Sequence, residues 1–137
     1  MQKVLLIGID GADWDIIDPM IEAGRLPNFH RLKEEGAWGR LKSLHPPLTP
    51  IVWTSIASGK TKEKHGILDF FSTSRDVKAK RIWDILEERG YTIGLHEYPV
   101  TWPPRECSGF IIPDLLARDS STYPQGLRCV KELAFIE

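Results

Sequence analysis

The chain has 137 residues, a length that accommodates one domain. Hydrophobic residues make up 42% and charged residues 27%, which is ordinary for a soluble globular protein and argues against disorder. Because 18 Lys and Arg are balanced by 19 Asp and Glu, the net charge of −1 gives no electrostatic reason to expect a nucleic-acid partner or a membrane anchor. Two cysteines, Cys107 and Cys129, are too few for a disulfide scaffold and indicate thiols in a reducing cytosol.

The first apolar segment predicts a buried strand. Residues 3–9 are almost entirely apolar until Asp10 interrupts them, and this run is too short for a signal-peptide core or a membrane span. A short continuous apolar run is typical of a central strand in a parallel sheet, which is covered on both faces. Since no targeting segment is visible, we expect a cytoplasmic protein.

Predicted helices and strands alternate along the rest of the chain. Apolar spacing and capping residues predict four helices, at about residues 14–23, 29–35, 51–57 and 80–89. Shorter apolar runs predict strands at about residues 38–43, 91–96 and 110–112. Loops are expected at 60–64 and 99–104, and residues 125–135 have helical spacing. The alternation favours an α/β sheet with helices on its faces, and three or four strands would leave that sheet unfinished.

Asp10 is the first candidate functional residue. It directly follows the predicted first strand and precedes Gly11, and ligands of open α/β sheets bind outside the carboxyl ends of the strands. A carboxylate beside a glycine, which lets the backbone approach closely, is suited to a hard or borderline cation. The position alone is equally consistent with an aspartate that caps a turn.

Thr49 is the second candidate. We predict it as the N-cap of the helix at 51–57, with Pro50 at the first helical position and Gly59 just past the end. A helix N-terminus favours negative charge, so it binds phosphate and stabilises a developing alkoxide. A threonine there can act as a nucleophile if a metal lowers its pKa, whereas an isolated Thr-Pro is more often an ordinary cap.

Other motifs carry no comparable chemistry. The Gly59-Lys60-Thr61 run lacks the glycine five positions earlier that a phosphate-binding loop needs. Asp10 and Asp13 occupy glycine positions of the dinucleotide-binding pattern. The histidines lack tight metal-ligand spacing, and we expect surface or capping roles for all four, His30, His45, His65 and His96.

Several motifs in order resemble one known family. Residues 4–11 resemble the metal-binding opening strand of the alkaline phosphatase superfamily, in its type I phosphodiesterase/nucleotide pyrophosphatase branch. The run Pro47-Leu48-Thr49-Pro50, leading to Ser58-Gly59, resembles the nucleophile loop and its helix. The resemblance extends over nearly the whole chain through four further segments, Leu26-Pro27-Asn28-Phe29, Lys64-His65-Gly66-Ile67, Arg81-Ile82-Trp83-Asp84-Ile85-Leu86 and Pro99-Val100-Thr101-Trp102-Pro103-Pro104.

The resemblance implies a three-layer α/β/α sandwich with a mostly parallel sheet, of which residues 1–137 would be the N-terminal portion of a single catalytic domain. It also implies a phosphoric-ester hydrolase that uses two divalent metal ions, usually zinc and sometimes manganese, on a small phosphate ester. Asp10 would bind one ion. Thr49 would bind the same ion and attack phosphorus, which gives a covalent phospho-threonine.

Two features depart from the family pattern. Phe70 stands where the nucleotide pyrophosphatase branch carries a phosphate-gripping asparagine, which disfavours a nucleotide substrate. The family takes most metal ligands from later segments, so Asp10 and Thr49 supply at most two where a two-metal site needs about six or seven. We therefore expect this chain alone to be inactive. The alternative is a non-catalytic short α/β protein that binds a phosphate-bearing ligand, self-associates or pairs with a partner chain through its unfinished sheet.

Overall fold

The computed structural model describes residues 3–127. These residues fall into two compact units, 3–43 and 44–127. Within them the chain forms five α-helices, one 3₁₀ turn and a two-stranded parallel sheet. This mixture of helices with a parallel sheet confirms the α/β class. Most of the tail predicted to be helical lies outside the described residues, and so does Cys129.

The first unit contains helices α1 (Trp14–Glu22) and α2 (Pro27–Glu35). Helix α1 begins where the Asp13 side chain accepts a hydrogen bond of 2.9 Å from the backbone N–H of Asp15. Helix α2 begins at Pro27, whose fixed φ suits the first helical position and whose missing N–H would have no partner there. Both predicted helices are therefore confirmed. The predicted cap at Asn28 is wrong, because Leu26 is the N-cap residue.

A lysine between two tryptophans joins the side chains of the first unit. Lys33 in α2 donates a hydrogen bond of 2.7 Å to Asp18 in α1. Its ammonium lies 4.0 Å from the ring centroid of Trp38 and 4.9 Å from that of Trp14. No residue of either helix is buried. The unit is thus organised around cation–π and ion-pair contacts, each worth about 1 kcal/mol or less at such exposure.

The two strands predicted for the first unit are wrong. Residues 3–9 and 38–43 form no ladder with any residue of the described part of the chain. Val4 and Leu5 are 90% and 82% exposed. The apolar pattern fits a central strand, but a strand forms only where neighbouring strands pair with its N–H and C=O groups. No residue from 3 to 127 does so for residues 4–9, which we call the apolar N-terminal segment.

The second unit begins with helices α3 (Thr49–Ser58) and α4 (Lys62–His65). Helix α3 confirms the predicted helix, although its N-cap is Leu48, so Thr49 is the first helical residue instead of the cap. It ends as expected at Gly59, which takes the left-handed conformation with φ 62°. The predicted loop at 60–64 is wrong in part, because α4 occupies most of it.

The sheet follows helix α5 (Ile82–Glu88) and consists of β1 (Gly94–Tyr98) and β2 (Phe110–Pro113). The strands are parallel, with Gly94 opposite Phe110 and Tyr98 opposite Pro113. The register is irregular between His96 and Tyr98, where Glu97 has a positive φ of 54°. The predicted helix and both predicted strands are confirmed, and β1 starts a few residues later than expected.

The core of the second unit lies between α3, α5 and the sheet. Its four buried members are Ala57 in α3, Trp83 in α5, Ile93 directly before β1, and Ile111 in β2. The ring of Tyr98 meets that of Trp83 edge-on at 4.7 Å, and its hydroxyl donates to the Trp53 carbonyl at 2.8 Å. The first contact fixes α5, and the second fixes α3, against the carboxyl end of β1. Among residues 3–127, no helix has the length and apolar character needed to cross a bilayer.

Candidate functional site

Thr49 occupies the first position of the ten-residue helix α3 and is half-buried. The first N–H groups of a helix have no partner within the helix, and together with the helix dipole they favour an anion at this end. Pro50 at the next position removes one of these donors and is itself buried. The side chain of Thr49 therefore lies beside a helix terminus suited to phosphate, one position inside the helix from where the sequence predicted it.

His65 holds the middle of α3 in place. It is fully buried and its Nε2 lies 2.9 Å from Oγ of Ser55 in α3. Its Nδ1 accepts a hydrogen bond of 3.1 Å from the backbone N–H of Ile67. Desolvation by burial lowers the pKa of His65. Because Nδ1 accepts from Ile67, we place the proton of the neutral imidazole on Nε2, which lies beside the Ser55 hydroxyl and hydrogen-bonds to the backbone of Ile51.

This tautomer rules out one mechanism for the Ser55–His65 pair. A serine nucleophile needs a neighbouring base, and the geometry resembles that of a Ser-His dyad. However, Nε2 already carries the proton, and moving the proton to Nδ1 would point it at the N–H of Ile67. His65 is therefore a structural residue that links α3 to the turn after α4.

The burial of His65 corrects the expectation that all four histidines serve on the surface or in caps. Helix α4 has only four residues, so it has no apolar periodicity from which burial could be predicted. The sequence feature that could have indicated a structural role for His65 is the Lys64-His65-Gly66-Ile67 motif. Gly66 has a φ of 80°, and a Cβ there would lie 3.3 Å from the carbonyl oxygen of Asp76, so this turn favours glycine.

Asp10 lies in the first unit and is exposed. It belongs to a tight turn in which the backbone N–H of Ala12 donates to the carbonyl of Ile9 at 3.4 Å, and Gly11 has a φ of 70°. The turn accounts for Gly11, and Asp10 stays a candidate ligand. Thr49 belongs to the second unit, so the surroundings of Asp10 and of Thr49 are described separately, each within its own unit.

The described side chains do not by themselves fit the two metal ions that the resemblance implies. A catalytic zinc ion takes three protein ligands and a structural one takes four. Within residues 3–127, no three His, Cys, Asp or Glu side chains come together in a group that could hold a metal ion. Asp10 and Thr49 are thus candidate ligands without a complete metal centre among these residues.

Phe70, in place of the family's asparagine, lies on an exposed loop. Asp69 accepts hydrogen bonds from the backbone N–H groups of Phe71 and Ser72, at 2.9 and 3.0 Å, and so shapes the loop. Phe70 and Phe71 are 47% and 81% exposed. The loop therefore presents aromatic rings and no amide side chain that could hold a phosphate.

Comparison with known proteins identifies the family. A family model described as type I phosphodiesterase / nucleotide pyrophosphatase matches residues 4–126. The chain belongs to this family, which implies hydrolysis of phosphate esters. The match confirms the resemblance based on the motifs from residue 4 to residue 104. No curated protein and no solved structure matches the chain significantly.

Proposed function

We propose that the chain is the N-terminal portion of a phosphoric-ester hydrolase whose nucleophile is Thr49. The family match over residues 4–126 carries the proposal. The position of Thr49 in the first turn of α3 supports it. The complete catalytic domain is a three-layer α/β/α sandwich in this proposal, and the parallel pairing of β1 with β2 agrees with such a sheet.

In the proposed reaction, Oγ1 of Thr49 attacks phosphorus and a new P–O bond forms while the bond to the leaving alcohol breaks. The threonine hydroxyl loses its proton and the departing oxygen gains one. Water then hydrolyses the covalent phospho-threonine. The role of α3 is to present its N-terminal N–H groups to the negative charge, and the buried contacts of Ile51, Thr54 and His65 hold the helix still.

We also propose that the complete enzyme binds two divalent ions, zinc or alternatively manganese, and that Asp10 and Thr49 are ligands of the same one. A carboxylate oxygen is a common zinc ligand. The remaining ligands must come from outside residues 3–127, because those residues supply no group of three. The substrate is a small phosphate ester, and Phe70 argues against a nucleotide.

The test compares the chain with a version extended by whatever the reading frame encodes after codon 137. Hydrolysis of bis(p-nitrophenyl) phosphate is measured with added Zn²⁺ or Mn²⁺. We expect the 137-residue chain to give background rates and the extended chain to turn over. Thr49→Ala should abolish that turnover, and Thr92→Ala, at an exposed threonine outside the helices and strands, should leave it unchanged.

Three outcomes would contradict the proposal. Turnover by the 137-residue chain would overturn its inactivity. Equal rates for Thr49→Ala and the parent would overturn the nucleophile. A frame that closes directly after codon 137 would overturn the N-terminal-portion proposal and leave the non-catalytic alternative.

That alternative is a short α/β protein that pairs with itself or with a partner chain, and the apolar N-terminal segment favours it. Four successive side chains from Val4 to Ile7 are between 68% and 90% exposed. An exposed apolar segment whose backbone is not part of a sheet pairs readily with another chain. A monodisperse monomer in light scattering, with no affinity for phosphate, would reject this candidate.

A further inference from the structure

A pocket of about 290 Å³ lies at the carboxyl ends of β1 and β2. Its acidic lining residues come from the end of β1, from the residue after β2 and from the loop that follows, and they are Glu97, Asp114 and Asp119. Within the described part of the chain, no Lys, Arg or His lines it. In open α/β sheets the carboxyl ends of the strands are where ligands bind. The pocket is therefore acidic and stands in the expected place for a ligand.

Asp114 is the unusual residue of this pocket. It is only 7% exposed, and its Oδ1 is buried without a hydrogen-bond partner among residues 3–127. Oγ of Ser121, which lines the same pocket, is also buried without a partner from those residues. Buried polar atoms are almost always hydrogen-bonded, so two orphaned oxygens in one pocket wall need an explanation. The N–H donors of a ligand in the pocket would supply the missing partners once these two side chains turn toward it.

The lining of this pocket places no cationic side chain opposite the carboxylate of Asp114. Burial, with a smaller contribution from the nearby Glu97, raises the pKa of Asp114 to about 6, although hydrogen bonds from the backbone at Leu116 and Val100 oppose the rise. Asp119 accepts hydrogen bonds from the Trp102 indole and the Ser121 N–H. Arg118 does not line this pocket; it lines a neighbouring cavity together with Asp114 and donates to the Phe71 carbonyl at 2.9 Å. Near neutral pH, the pocket therefore carries a buried negative charge that no cationic side chain of its described lining faces.

The backbone at Glu97 is strained. It has a φ of 54°, which is uncommon for a residue other than glycine, and the strand register shifts at this point. Such strain concentrates at binding sites, where the surrounding fold maintains it. Here it occurs at a carboxylate that lines the pocket.

We propose that this pocket binds a small organic ammonium ion, with its N–H groups on Asp114 and Glu97 and its alkyl part against Ile112 and Leu115. The apolar lining and the volume fit an alkylamine better than a bare metal ion. Moreover, residues 3–127 contain no three-residue metal-ligand group. The site is independent of Thr49 and of the proposed hydrolysis.

The experiment titrates the 137-residue chain with n-butylammonium chloride and follows amide chemical shifts by NMR at about pH 7.5. We expect saturable shifts at Asp114, Ser121 and Glu97. Asp114→Asn keeps the shape and removes the charge, so it should weaken binding by about tenfold or more. Glu106→Gln, which removes an exposed acid outside the pocket, should bind like the parent.

Further probes separate this site from the other possibilities. 1-Butanol, which has the same length and no charge, should not saturate the pocket. Lowering the pH to about 5 should weaken butylammonium binding to the parent and leave the Asp114→Asn variant unchanged, because Asp114 becomes protonated. Three results would overturn the proposal: butylammonium shifts that do not saturate, equal binding by 1-butanol, and undiminished binding by Asp114→Asn. Displacement of butylammonium by a low concentration of Mg²⁺ or Ca²⁺ would overturn it in favour of a metal site.

Discussion

At the residue scale, His65 should contribute more to stability than any other histidine among the described residues. Replacement by alanine leaves a cavity and deprives the Ser55 hydroxyl and the Ile67 N–H of their partner. We expect His65→Ala to lower the free energy of unfolding by about 3 kcal/mol, as measured by urea denaturation. His30→Ala, at an exposed histidine, is the matched control and should change it by less than about 0.5 kcal/mol. Similar losses for the two variants would contradict the buried structural role.

Asp114 gives a pH-dependent prediction. Its pKa in the fold, about 6, is higher than the ordinary value of 3.8, so the fold favours the protonated acid. The resulting penalty is absent below about pH 4 and grows as the pH rises through about 6. Asp114→Asn should therefore be more stable than the parent near pH 7, by roughly 2–3 kcal/mol, and equal to it near pH 4.

Asp76 is the control, because its pKa is shifted in the opposite direction to that of Asp114. Hydrogen bonds from the backbone and side chain of Thr73 lower its pKa. Its contribution is present above the unfolded pKa and is lost as the pH falls, so Asp76→Asn should be less stable than the parent at neutral pH. Thermal unfolding measured across this pH range for both variants tests the pair. Parallel pH curves for the parent and Asp114→Asn would show that Asp114 is not perturbed.

At the element scale, the sheet depends on a glycine directly before β2. A Cβ at Gly109 would lie 1.9 Å from the carbonyl oxygen of Ile93, so the backbone would have to move. We expect Gly109→Ala to destabilise the chain by about 3 kcal/mol in urea denaturation. Gly39→Ala is the matched control, since no atom of the described residues lies within 4 Å of its added methyl group. If both variants unfold at the same urea concentration, the prediction that the sheet depends on a glycine at position 109 is wrong.

The elements differ in how well the sequence predicts them. Helices α1, α2, α3 and α5 are all predicted, because helical hydrogen bonds close within five residues and the apolar spacing is local. The position of Thr49 was missed by one residue, since Leu48 has no side chain that signals an N-cap. The strand at 3–9 was predicted from the same kind of local pattern and is not formed among the described residues, because a strand depends on partners far along the chain.

At the scale of the whole molecule, the apolar N-terminal segment should govern self-association. We expect the chain to form oligomers whose dissociation constant rises by about tenfold or more in the double variant Leu5→Asp, Ile7→Asp, because charges oppose edge pairing. Sedimentation velocity measures this. Leu41→Asp, at a leucine that is 88% exposed and outside the segment, is the control. Equal oligomerisation of the double variant and the parent would place the interface elsewhere.

The sequence by itself determined the α/β class, four of the helices and the family, because these depend on local periodicity and on motifs in order. It also singled out Asp10 and Thr49 as candidates, from their positions next to predicted elements. Only the tertiary structure decided that His65 is buried and neutral, and that Asp114 lies in a pocket whose described lining is acidic and holds no cationic side chain. The physical reason is that burial, proton position and pKa depend on which distant residues surround a group, and no local pattern records that.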